Sequence, residues 1–455
     1  MGIKMRLCIN SQTPFVRFRL NYADLLEKYE ELPDPLPLDQ LVEGEDYIYA
    51  PGGVPSMVFP LIKEMMARGL VSDAQWVTLN PIGPERVSVD NITIHNVALP
   101  PKELASYAQF KEGIWRSMHQ IDEVKMGLPN AIAYTRYNWR CAERMLSLLP
   151  DVDLFFVHDF QQLQVGAMLG MAAPSVFRWH IPLRLMNIPP PMRRFIVRSM
   201  GAFDSVIVSC KSDLEALIRA GYQGEVKQMY PYVNQRIWKK PSKSDLDEFC
   251  SLAGIDENDK VLLVVARMDK MKGQDNVIKA MRKIKDKNAK LVLVGNGSFS
   301  GSKVGGLAHP KSTRWRGYLE GLAREMGVKD RVVFTGYLPH RLVQAAYERC
   351  DILVLPSVIE GFGLMVLEGW LYKKPVVVSR GCGVSELVIE GVNGHLFDSG
   401  DVDELAGQIE KMLSTDSSRL GENGFDTAKG CYIDKGAEMI CEVFKRAIDV
   451  WGGGL

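Results

Sequence analysis

The sequence predicts an α/β fold with two doubly wound, mainly parallel sheets, one in each half of the 455-residue chain. Short apolar runs rich in β-branched residues, such as VDLFFVHD in the first half and KVLLVVAR and DILVLPS in the second, alternate with amphipathic stretches. Each run ends in polar or glycine residues and a helix-like segment follows, which is typical of parallel strands buried on both faces. The series stops once and begins again at Val261, so we predict two domains.

The seam between the two domains lies in YPYVNQRIWKKPSKSDLDEF, residues 230–249, where a Pro/Lys/Ser-rich connector leads into an amphipathic helix. We therefore predict a first domain over residues 1–235 and a second over 236–434. Residues 435–455 form an amphipathic C-terminal helix that closes the second domain or crosses back to the first. Residues from about 10 to 44 fit the strand pattern least well, and we predict that they are an N-terminal elaboration placed before the strand EDYIYA.

The overall composition excludes several classes of function. Fifty-five basic residues balance 55 acidic ones, so no global field attracts nucleic acid or an anionic membrane. No run of about 18 apolar residues and no signal-peptide core is present, which predicts a cytoplasmic protein. The eight cysteines lack Cys-x-x-Cys spacing or a nearby His pair, which favours free thiols over disulfides or a zinc site.

The segment EGFGLMVLEGW follows the strand DILVLPS and opens a helix. The backbone amides of Phe362, Gly363 and Leu364 would form a partly positive helix terminus that suits phosphate. Glu360 stands just before this terminus, and Glu368 lies about 12 Å further along the helix. This spacing suits one extended ligand with a sugar at Glu360, a diphosphate at the amides and a ribose at Glu368.

Two further loops contain residue types that bind phosphate. ARMDKMKG places Arg267 and Lys272 five residues apart after a strand, where two cations can clamp a leaving diphosphate. A solvated charged turn explains that pattern equally well. APGGVPSM, residues 50–57, is a glycine pair between a strand and a helix, which permits close approach of phosphate but also makes an ordinary tight turn.

Polar side chains also end two strands of the first half. VHDFQQ and FRWHIP place His158, Asp159, Arg178 and His180 at carboxyl ends, the side of a doubly wound sheet where ligands bind. Imidazole and carboxylate groups are frequent partners of sugar hydroxyls and frequent general bases. Buried structural histidines remain an equal alternative for this pattern.

Together, ARMDKMKG and VIEGFGLMVLEGW resemble the signature of the retaining GT-B glycosyltransferases of family four, with its Glu-x7-Glu pair. FTGYLPHRLVQAAYERCDILVLPS and KPVVVSRGCGVSELVIEGVNGHLF occur in the family's order, and the resemblance covers residues 260 to about 415. The first half is a looser match. The resemblance implies two Rossmann-like domains facing a cleft, with a nucleotide-sugar donor held mainly by the second domain and no metal requirement.

The resemblance also implies roles for individual residues. Catalysis would involve Arg267, Lys272, Glu360 and His158, with His158 positioning the acceptor or the primary hydroxyl of the sugar. The predicted donor-binding residues are Gly53, Arg267, Lys272, Tyr337, Leu338, Glu360, Gly361, Phe362, Gly363, Leu364 and Glu368. The predicted acceptor-binding residues are His158, Asp159, Gln161, Arg178 and His180. No metal ligand is predicted.

The function that follows is a retaining, metal-independent hexosyltransferase. It would move a hexose, with glucose favoured, from a UDP-, ADP- or GDP-linked donor to a small soluble acceptor. The glycine loop, VHDFQQ and FRWHIP are similar to trehalose glycosyltransferring synthases, which makes glucose an acceptor to consider. No cofactor is expected, Mg²⁺ is not required although an assisting role stays open, and nucleic acid is not a partner.

Three alternatives stay open at this point. A disaccharide phosphorylase of the same fold would keep the cations and Glu360 but would not need a ribose carboxylate at Glu368. A lipid- or polyprenol-linked glycan transferase would dock on a membrane, and PPMRRFIVRSMGAF, residues 190–203, has the basic and apolar residues for such contact. Membrane contact is possible but not favoured, and a homodimer is possible. The intact charged residues argue against a third, non-catalytic sugar-binding role.

Overall fold

The computed structural model describes residues 4–49, 53–121, 126–296 and 311–452. The chain divides into two compact units, which are residues 1–230 together with 433–455, and residues 231–432. The first change of unit therefore falls in the YPYVN segment, beside the predicted boundary at residue 235. Each unit is an α/β domain built on a mainly parallel sheet, which confirms the predicted fold class.

In the described part of the first unit, the strands are β1 (Met5–Ser11), β2 (Val16–Phe18), β3 (Leu36–Pro37), β4 (Tyr47–Tyr49), β5 (Val71–Leu79), β6 (Arg86–Val89), β7 (Ile92–Val97), β8 (Leu154–His158), β9 (Ser175–Arg178), β10 (Ser205–Val208) and β11 (Val226–Gln228). Nine of them form one sheet in the order β11-β10-β9-β8-β1-β5-β7-β6-β3. The pairs from β11 to β7 are all parallel, and β6 runs antiparallel to β7. Every residue of β8, β9 and β10 is buried, as expected for strands covered on both faces.

The centre of this sheet is the place where a ligand is expected. The chain leaves β1 toward β5 and β7 on one side, and later fills the other side with β8, β9, β10 and β11. The order of strands therefore reverses between β1 and β8. Ligands of doubly wound sheets bind outside the carboxyl ends of the strands at such a switch point, and His158 is the last residue of β8.

The helices of the first unit that precede residue 230 are α1 (Tyr22–Tyr29), α2 (Val54–Ala67), α3 (Pro101–Met118), α4 (Leu128–Leu146), α5 (Val165–Leu169), α6 (Pro190–Met200) and α7 (Lys211–Arg219). The elements β2, α1, β3 and β4 lie between β1 and α2, in the region predicted as an elaboration. The prediction that EDYIYA is a strand of the parallel sheet is wrong, because β4 pairs antiparallel with β2 in a separate ribbon. The earlier run MRLCINS takes the central place as β1.

The elaboration is organised around one buried carboxylate. Asp46 accepts hydrogen bonds from Lys28 Nζ at 2.7 Å, from the Val42 amide at 2.8 Å and from the Tyr29 hydroxyl. Lys28 and Tyr29 belong to α1, so this carboxylate joins the helix to the turn before β4. The elaboration is joined to the main sheet through β3, which pairs with β6 at the sheet edge.

In the second unit, the strands of the described residues are β12 (Lys260–Val265), β13 (Ala289–Val294), β14 (Val332–Gly336), β15 (Ile352–Leu355), β16 (Val376–Ser379) and β17 (His395–Phe397). They form a parallel sheet in the order β14-β13-β12-β15-β16-β17. The helices are α8 (Lys243–Ala253), α9 (Gln274–Lys283), α10 (Lys311–Glu325), α11 (His340–Arg349), α12 (Leu364–Leu371), α13 (Val402–Ser414) and α14 (Ser418–Ala428). The switch point of this sheet lies between β12 and β15.

The last helix, α15 (Ile433–Gly452), belongs to the first unit. Trp451 Nε1 donates to Asp204 at 2.9 Å, and Arg68, which follows the end of α2, pairs with Glu438 at 2.7 Å. The Phe444 ring packs edge-on against Phe156 of β8 with 4.9 Å between centroids. The sequence left open whether this helix closes the second domain or crosses back to the first. In the structure it belongs to the first unit.

Two findings concern the chain as a whole. No helix in residues 4–49, 53–121, 126–296 and 311–452 is long and apolar enough to cross a membrane. Within the described residues none of the eight cysteines forms a disulfide, and seven of them are buried. The seven buried cysteines are part of the cores of the two units.

Candidate active site

Two loops meet at the switch point of the second unit. β12 and β15 are neighbours in the sheet, with Leu262 opposite Ile352. The loop after β12 contains ARMDKMKG, and the loop after β15 contains SVIEGFG. The Val358 amide donates to the Met271 carbonyl oxygen at 2.8 Å, so the backbones of the two loops are hydrogen bonded. The predicted cation loop and the predicted glutamate loop therefore lie side by side.

Lys272 and Glu360 form a direct ion pair across these loops. Lys272 Nζ lies 2.5 Å from Glu360 Oε1, and the Ser357 hydroxyl donates to Oε2 at 2.7 Å. The two charged side chains are only 16% and 22% exposed. Burial alone would raise the pKa of Glu360, but Lys272, Ser357 and the charge of Arg267 outweigh it, so the pKa is lowered. Glu360 is therefore an ionised carboxylate beside a cation.

Arg267 is the second predicted cation of the loop after β12. It is exposed, and within the described residues its guanidinium has no ion-pair partner. Its carbonyl oxygen accepts from the Gln274 side chain at 2.7 Å, and Gln274 accepts from the Trp315 indole at 3.1 Å. The backbone of Arg267 is thus fixed from α9 and α10, while its charged group is available to a ligand.

Gly273 allows the two loops to pack backbone against backbone. It has a φ of +64°, and a Cβ atom at this position would lie 2.0 Å from the Pro356 carbonyl oxygen. Backbone carbonyls do not give way as a flexible side chain does. Any residue larger than glycine would therefore push the Lys272 loop away from the Glu360 loop.

We expect Gly273→Ala to lower the free energy of unfolding of the second unit by about 2–5 kcal/mol, the sum of a left-handed backbone and an overpacked contact. Gly254→Ala is the matched control, because Gly254 has a φ of +57° but nothing lies within 4 Å of its missing Cβ. The control is expected to cost about 1–2 kcal/mol. Urea unfolding followed by circular dichroism measures both, and equal losses would contradict the close packing of the loops.

The N-terminus of α12 is the predicted phosphate cradle of Gly361, Phe362, Gly363 and Leu364. Gly363 has a φ of +112°, and a Cβ there would lie 2.5 Å from Leu355 Cδ2. In the described part of the chain no side chain caps this helix end. The helix follows β15 and begins at Leu364, so its positive end lies close to Glu360 along the chain.

Glu368 lies one turn into α12 and has a different environment from Glu360. The Tyr347 hydroxyl donates to Glu368 Oε2 at 2.6 Å. Burial raises the pKa of Glu368 to about 7, against the opposing effect of that hydrogen bond. One glutamate of the predicted pair is thus held ionised by a cation, while the other titrates near neutral pH.

Tyr337 and Leu338, the predicted contacts of the nucleotide base, follow β14. Tyr337 is 56% exposed and Leu338 is 5% exposed. The carboxyl end of β14 lies on the same edge of the sheet as those of β12 and β15, because all six strands are parallel. Every predicted donor residue of the second unit therefore lies at one edge.

In the first unit, the side chains of His158 and His180 form a hydrogen-bonded pair. His158 Nδ1 lies 3.0 Å from His180 Nε2, and His158 Nε2 has no hydrogen-bond partner among the described residues. Burial lowers the pKa of both rings well below the usual range, and the charge of Arg178 lowers them further. Both imidazoles are neutral, so one ring donates to the other. His158 is fully buried while His180 is partly exposed, which places His180 nearer to any ligand.

Asp159 and Arg178 lie in the same cluster. Asp159 has a φ of +70°, and its side chain accepts from the His180 amide at 3.3 Å. Burial raises the pKa of Asp159 to about 7. Arg178 is 1% exposed, so it would affect a ligand through its charge and not by direct contact. The four residues that end β8 and β9 are thus brought together as predicted.

Gln161 is a predicted acceptor-binding residue, but the structure supports a role at this site more clearly for its neighbour Gln162, which the sequence did not single out. The backbone oxygen of Gln161 accepts from Asn138 at 3.1 Å. The Gln162 side chain is fully buried, and the two polar atoms of its amide lie 2.6 Å from the His158 carbonyl oxygen and 2.7 Å from the Gln12 backbone nitrogen. This side chain links the ends of β8 and β1. Its position at a strand end was the available signal, but two adjacent glutamines do not show which one turns inward.

Gly53 caps the N-terminus of α2 with a φ of +80°, and its carbonyl oxygen accepts from the Ser56 hydroxyl at 2.7 Å. Residues 50–52 of the predicted glycine loop lie outside the described residues. In the ranges that are described, no group of three or more His, Cys, Asp or Glu side chains is arranged to hold a metal ion.

The first comparison with known proteins concerns the second unit. Residues 251–426 match the family model described as glycosyl transferases group 1. An uncharacterized glycosyltransferase of Methanocaldococcus jannaschii is 32% identical over 237 residues, which cover 50% of this chain and 56% of that protein. The chain thus spans little more than half the length of that relative.

Solved structures extend the likeness to both units. The Burkholderia xenovorans α,α-trehalose-phosphate synthase (UDP-forming), in complex with glucose-6-phosphate, has a TM-score of 0.75 and 14% identity, covering 97% of this chain and 100% of that one. Anabaena HepE, in complex with UDP and glucose, has a TM-score of 0.67 and 19% identity, covering 97% and 99%. At these identities the likeness establishes the fold. The chain therefore has the GT-B fold with two Rossmann-like units, as predicted.

Proposed function

We propose that this protein is a retaining glycosyltransferase that moves a hexose from a nucleoside diphosphate sugar to a small hydroxyl acceptor. The observation that carries the proposal is the Lys272–Glu360 ion pair at the switch point of the second sheet. A cation and an ionised carboxylate in contact suit a ligand that has a diphosphate directly joined to a sugar. The family of residues 251–426 supports the same activity.

The donor would occupy the carboxyl edge of the second sheet. Arg267 and Lys272 bind the diphosphate together with the amides at the start of α12. Glu360 accepts hydrogen bonds from hydroxyls of the transferred sugar, and Glu368 accepts from the ribose. The backbone around Tyr337 receives the base. Except for Glu368, which lies one turn into α12, each of these groups lies after the end of a parallel strand or at the start of the following helix.

The proposed reaction needs charge stabilisation more than proton transfer by the protein. The acceptor oxygen bonds to the anomeric carbon as the bond from that carbon to the diphosphate oxygen breaks. The departing phosphate takes the acceptor proton on the same face of the sugar, which retains the configuration. Negative charge grows on the diphosphate, and Arg267 and Lys272 are positioned to stabilise it. Because two side chains supply this charge, metal independence is part of the proposal.

The first unit would bind the acceptor. His180 is partly exposed beside Asp159, and neutral imidazole and carboxyl groups suit sugar hydroxyls. Glucose is the proposed sugar of the donor and the proposed acceptor, as the similarity of VHDFQQ and FRWHIP to trehalose glycosyltransferring synthases suggests. The fold likeness to a UDP-forming trehalose-phosphate synthase accords with an acceptor of this class. Location in the cytoplasm stays a prediction of the sequence.

A thermal-shift screen tests the proposed donor site. Purified protein is heated with UDP-, ADP- and GDP-glucose, with the free nucleotides, and with phosphate plus trehalose. A ligand at 100 times its dissociation constant adds about 2.7 kcal/mol to the free energy of unfolding. We expect one nucleotide and its sugar to raise the melting temperature, and product analysis with glucose then identifies the acceptor. Stabilisation by phosphate with trehalose, and by no nucleotide, would instead indicate a phosphorylase.

A further inference from the structure

An aromatic cluster lies directly behind Glu368. The rings of Tyr347 and Tyr372 are stacked at 5.9 Å with 10° between their planes, and Trp238 meets Tyr347 edge-on at 5.5 Å. His340 packs on Trp238 at 4.7 Å. Tyr347 is fully buried in this cluster, and its hydroxyl reaches Glu368 Oε2 at 2.6 Å. Its ring therefore has little freedom to turn.

The segment that joins the two units along the chain closes the outer side of the cluster. The Ile237 carbonyl oxygen accepts from the Gln344 side chain at 2.6 Å, and the Lys239 carbonyl oxygen accepts from the Tyr372 hydroxyl at 2.7 Å. These bonds anchor the Trp238 backbone on both sides to α11 and to the end of α12. The position of the Tyr347 hydroxyl is thus determined by packing from three segments.

The hydrogen bond from Tyr347 gives the two carboxylate oxygens of Glu368 different environments. Oε2 is occupied by Tyr347, while Oε1 has no hydrogen-bond partner within the described residues. Burial raises the pKa of Tyr347, so its hydroxyl keeps its proton and remains a donor. The same hydroxyl favours the carboxylate form of Glu368, which burial opposes.

We propose that Tyr347 is a positioning residue for nucleotide recognition: by holding Oε2 of Glu368, it presents Oε1 to the ribose hydroxyls of the donor. This inference rests on the proposed function, since it requires a ribose at Glu368. It adds a residue of α11 to a site otherwise formed by strand-end loops and α12. Tyr347 itself need not touch the ligand.

The test compares Tyr347→Phe with the control variant Tyr372→Phe. The control removes the hydroxyl of the stacked partner ring, which donates to the Lys239 carbonyl oxygen and not to Glu368. Calorimetry gives the dissociation constants of UDP, ADP or GDP, whichever binds the wild-type protein, and of its 2′,3′-dideoxy form. Wild type is expected to prefer the ribose form by about 10- to 100-fold, the range for hydrogen bonds to a charged group. Tyr347→Phe should reduce this preference about tenfold, and Tyr372→Phe should retain it.

The pH profile separates positioning from a structural effect. Glu368 loses its charge as the pH falls through about 7, so the ribose preference of wild type should decline there. Without the Tyr347 hydroxyl, the pKa of Glu368 rises, and the decline should move to higher pH. The other ionisable groups of the cluster do not compete, because burial raises the pKa of Tyr347 and Tyr372 and lowers that of His340.

The outcomes distinguish the inference from the function on which it rests. If no nucleotide binds the wild-type protein, the proposed function itself fails. If Glu368→Gln abolishes the ribose preference while Tyr347→Phe changes neither the preference nor its pH midpoint, the role of Tyr347 is wrong. Should Tyr347→Phe not fold, 3-fluorotyrosine at position 347 keeps the ring and makes the hydroxyl a stronger donor. The pH midpoint of the ribose preference should be lower in this variant than in wild type, and an unchanged midpoint would overturn the inference.

Discussion

Lys272→Ala is expected to lower turnover by about three to four orders of magnitude, equivalent to about 4–5.5 kcal/mol of transition-state stabilisation. Two effects act in the same direction. The variant loses a cation that the proposal places beside the departing diphosphate. It also leaves the Glu360 carboxylate, now 2.5 Å from Lys272 Nζ, without its nearest counter-charge. That carboxylate would then repel the diphosphate, so the combined loss should exceed that of a single hydrogen bond.

The fold should survive this change. Lys272 lies in a loop between β12 and α9, and its side chain is 16% exposed, so water can reach the gap. Lys270→Ala is the matched control, because Lys270 lies in the same turn with an exposed side chain. Steady-state kinetics with the donor found in the screen, beside a thermal melt of each variant, make the measurement. Near-normal turnover in Lys272→Ala, or an equal loss in Lys270→Ala, would refute the proposal that Lys272 stabilises the departing diphosphate.

The sequence was a good guide to the strand ends of the second unit. DILVLPS, KVLLVVA and KPVVVS are compact apolar runs, and the structure has β15, β12 and β16 within them. Because parallel strands end at one edge, Arg267, Lys272 and Glu360 could be expected near one another. The contact between Lys272 and Glu360, 88 residues apart, could not be predicted, since hydrophobic periodicity does not say that β12 lies next to β15.

The partners of the site residues were harder to find. Ser357 ends a predicted strand, so the rule that selected Glu360 could have selected it as well. Tyr347 gave no such signal, because one aromatic residue in an amphipathic helix usually belongs to the core. Its hydroxyl acquires a role only through the packing of Trp238 and Tyr372 around it. A polar atom at the end of a buried ring is a tertiary feature that sequence periodicity does not encode.

The first unit shows where strand patterns mislead. EDYIYA alternates like a strand and precedes a glycine loop, but β4 is a three-residue piece of a two-stranded ribbon. The run MRLCINS is longer and more completely buried, and it takes the centre of the sheet. The elaboration between them depends on Asp46, whose burial among donors from α1 no local pattern reveals. Local propensity identifies strands, whereas sheet membership depends on which strand can be buried on both faces.

Glu360→Gln is expected to lower turnover by about 100- to 1,000-fold while leaving the affinity for the free nucleotide equal or higher. The glutamine keeps the size of the side chain and a contact with Ser357, but it removes the negative charge beside Lys272. A free nucleotide has no sugar for Glu360 to hold, and its diphosphate then meets an uncompensated Lys272. A nucleotide sugar loses its hydroxyl acceptor, so its affinity and its rate should fall together.

Ser357→Ala supplies the comparison for this variant, since it removes one hydrogen bond from Glu360 and keeps the charge. Its loss of turnover should be about tenfold or less. The double variant Lys272→Ala with Glu360→Gln should lose much less than the product of the two single losses, because the residues act as one ion pair. If Glu360→Gln weakens the free nucleotide as strongly as the nucleotide sugar, Glu360 belongs to the diphosphate site rather than the sugar site. Strictly multiplicative losses would show that the contact between Lys272 and Glu360 has no part in the reaction.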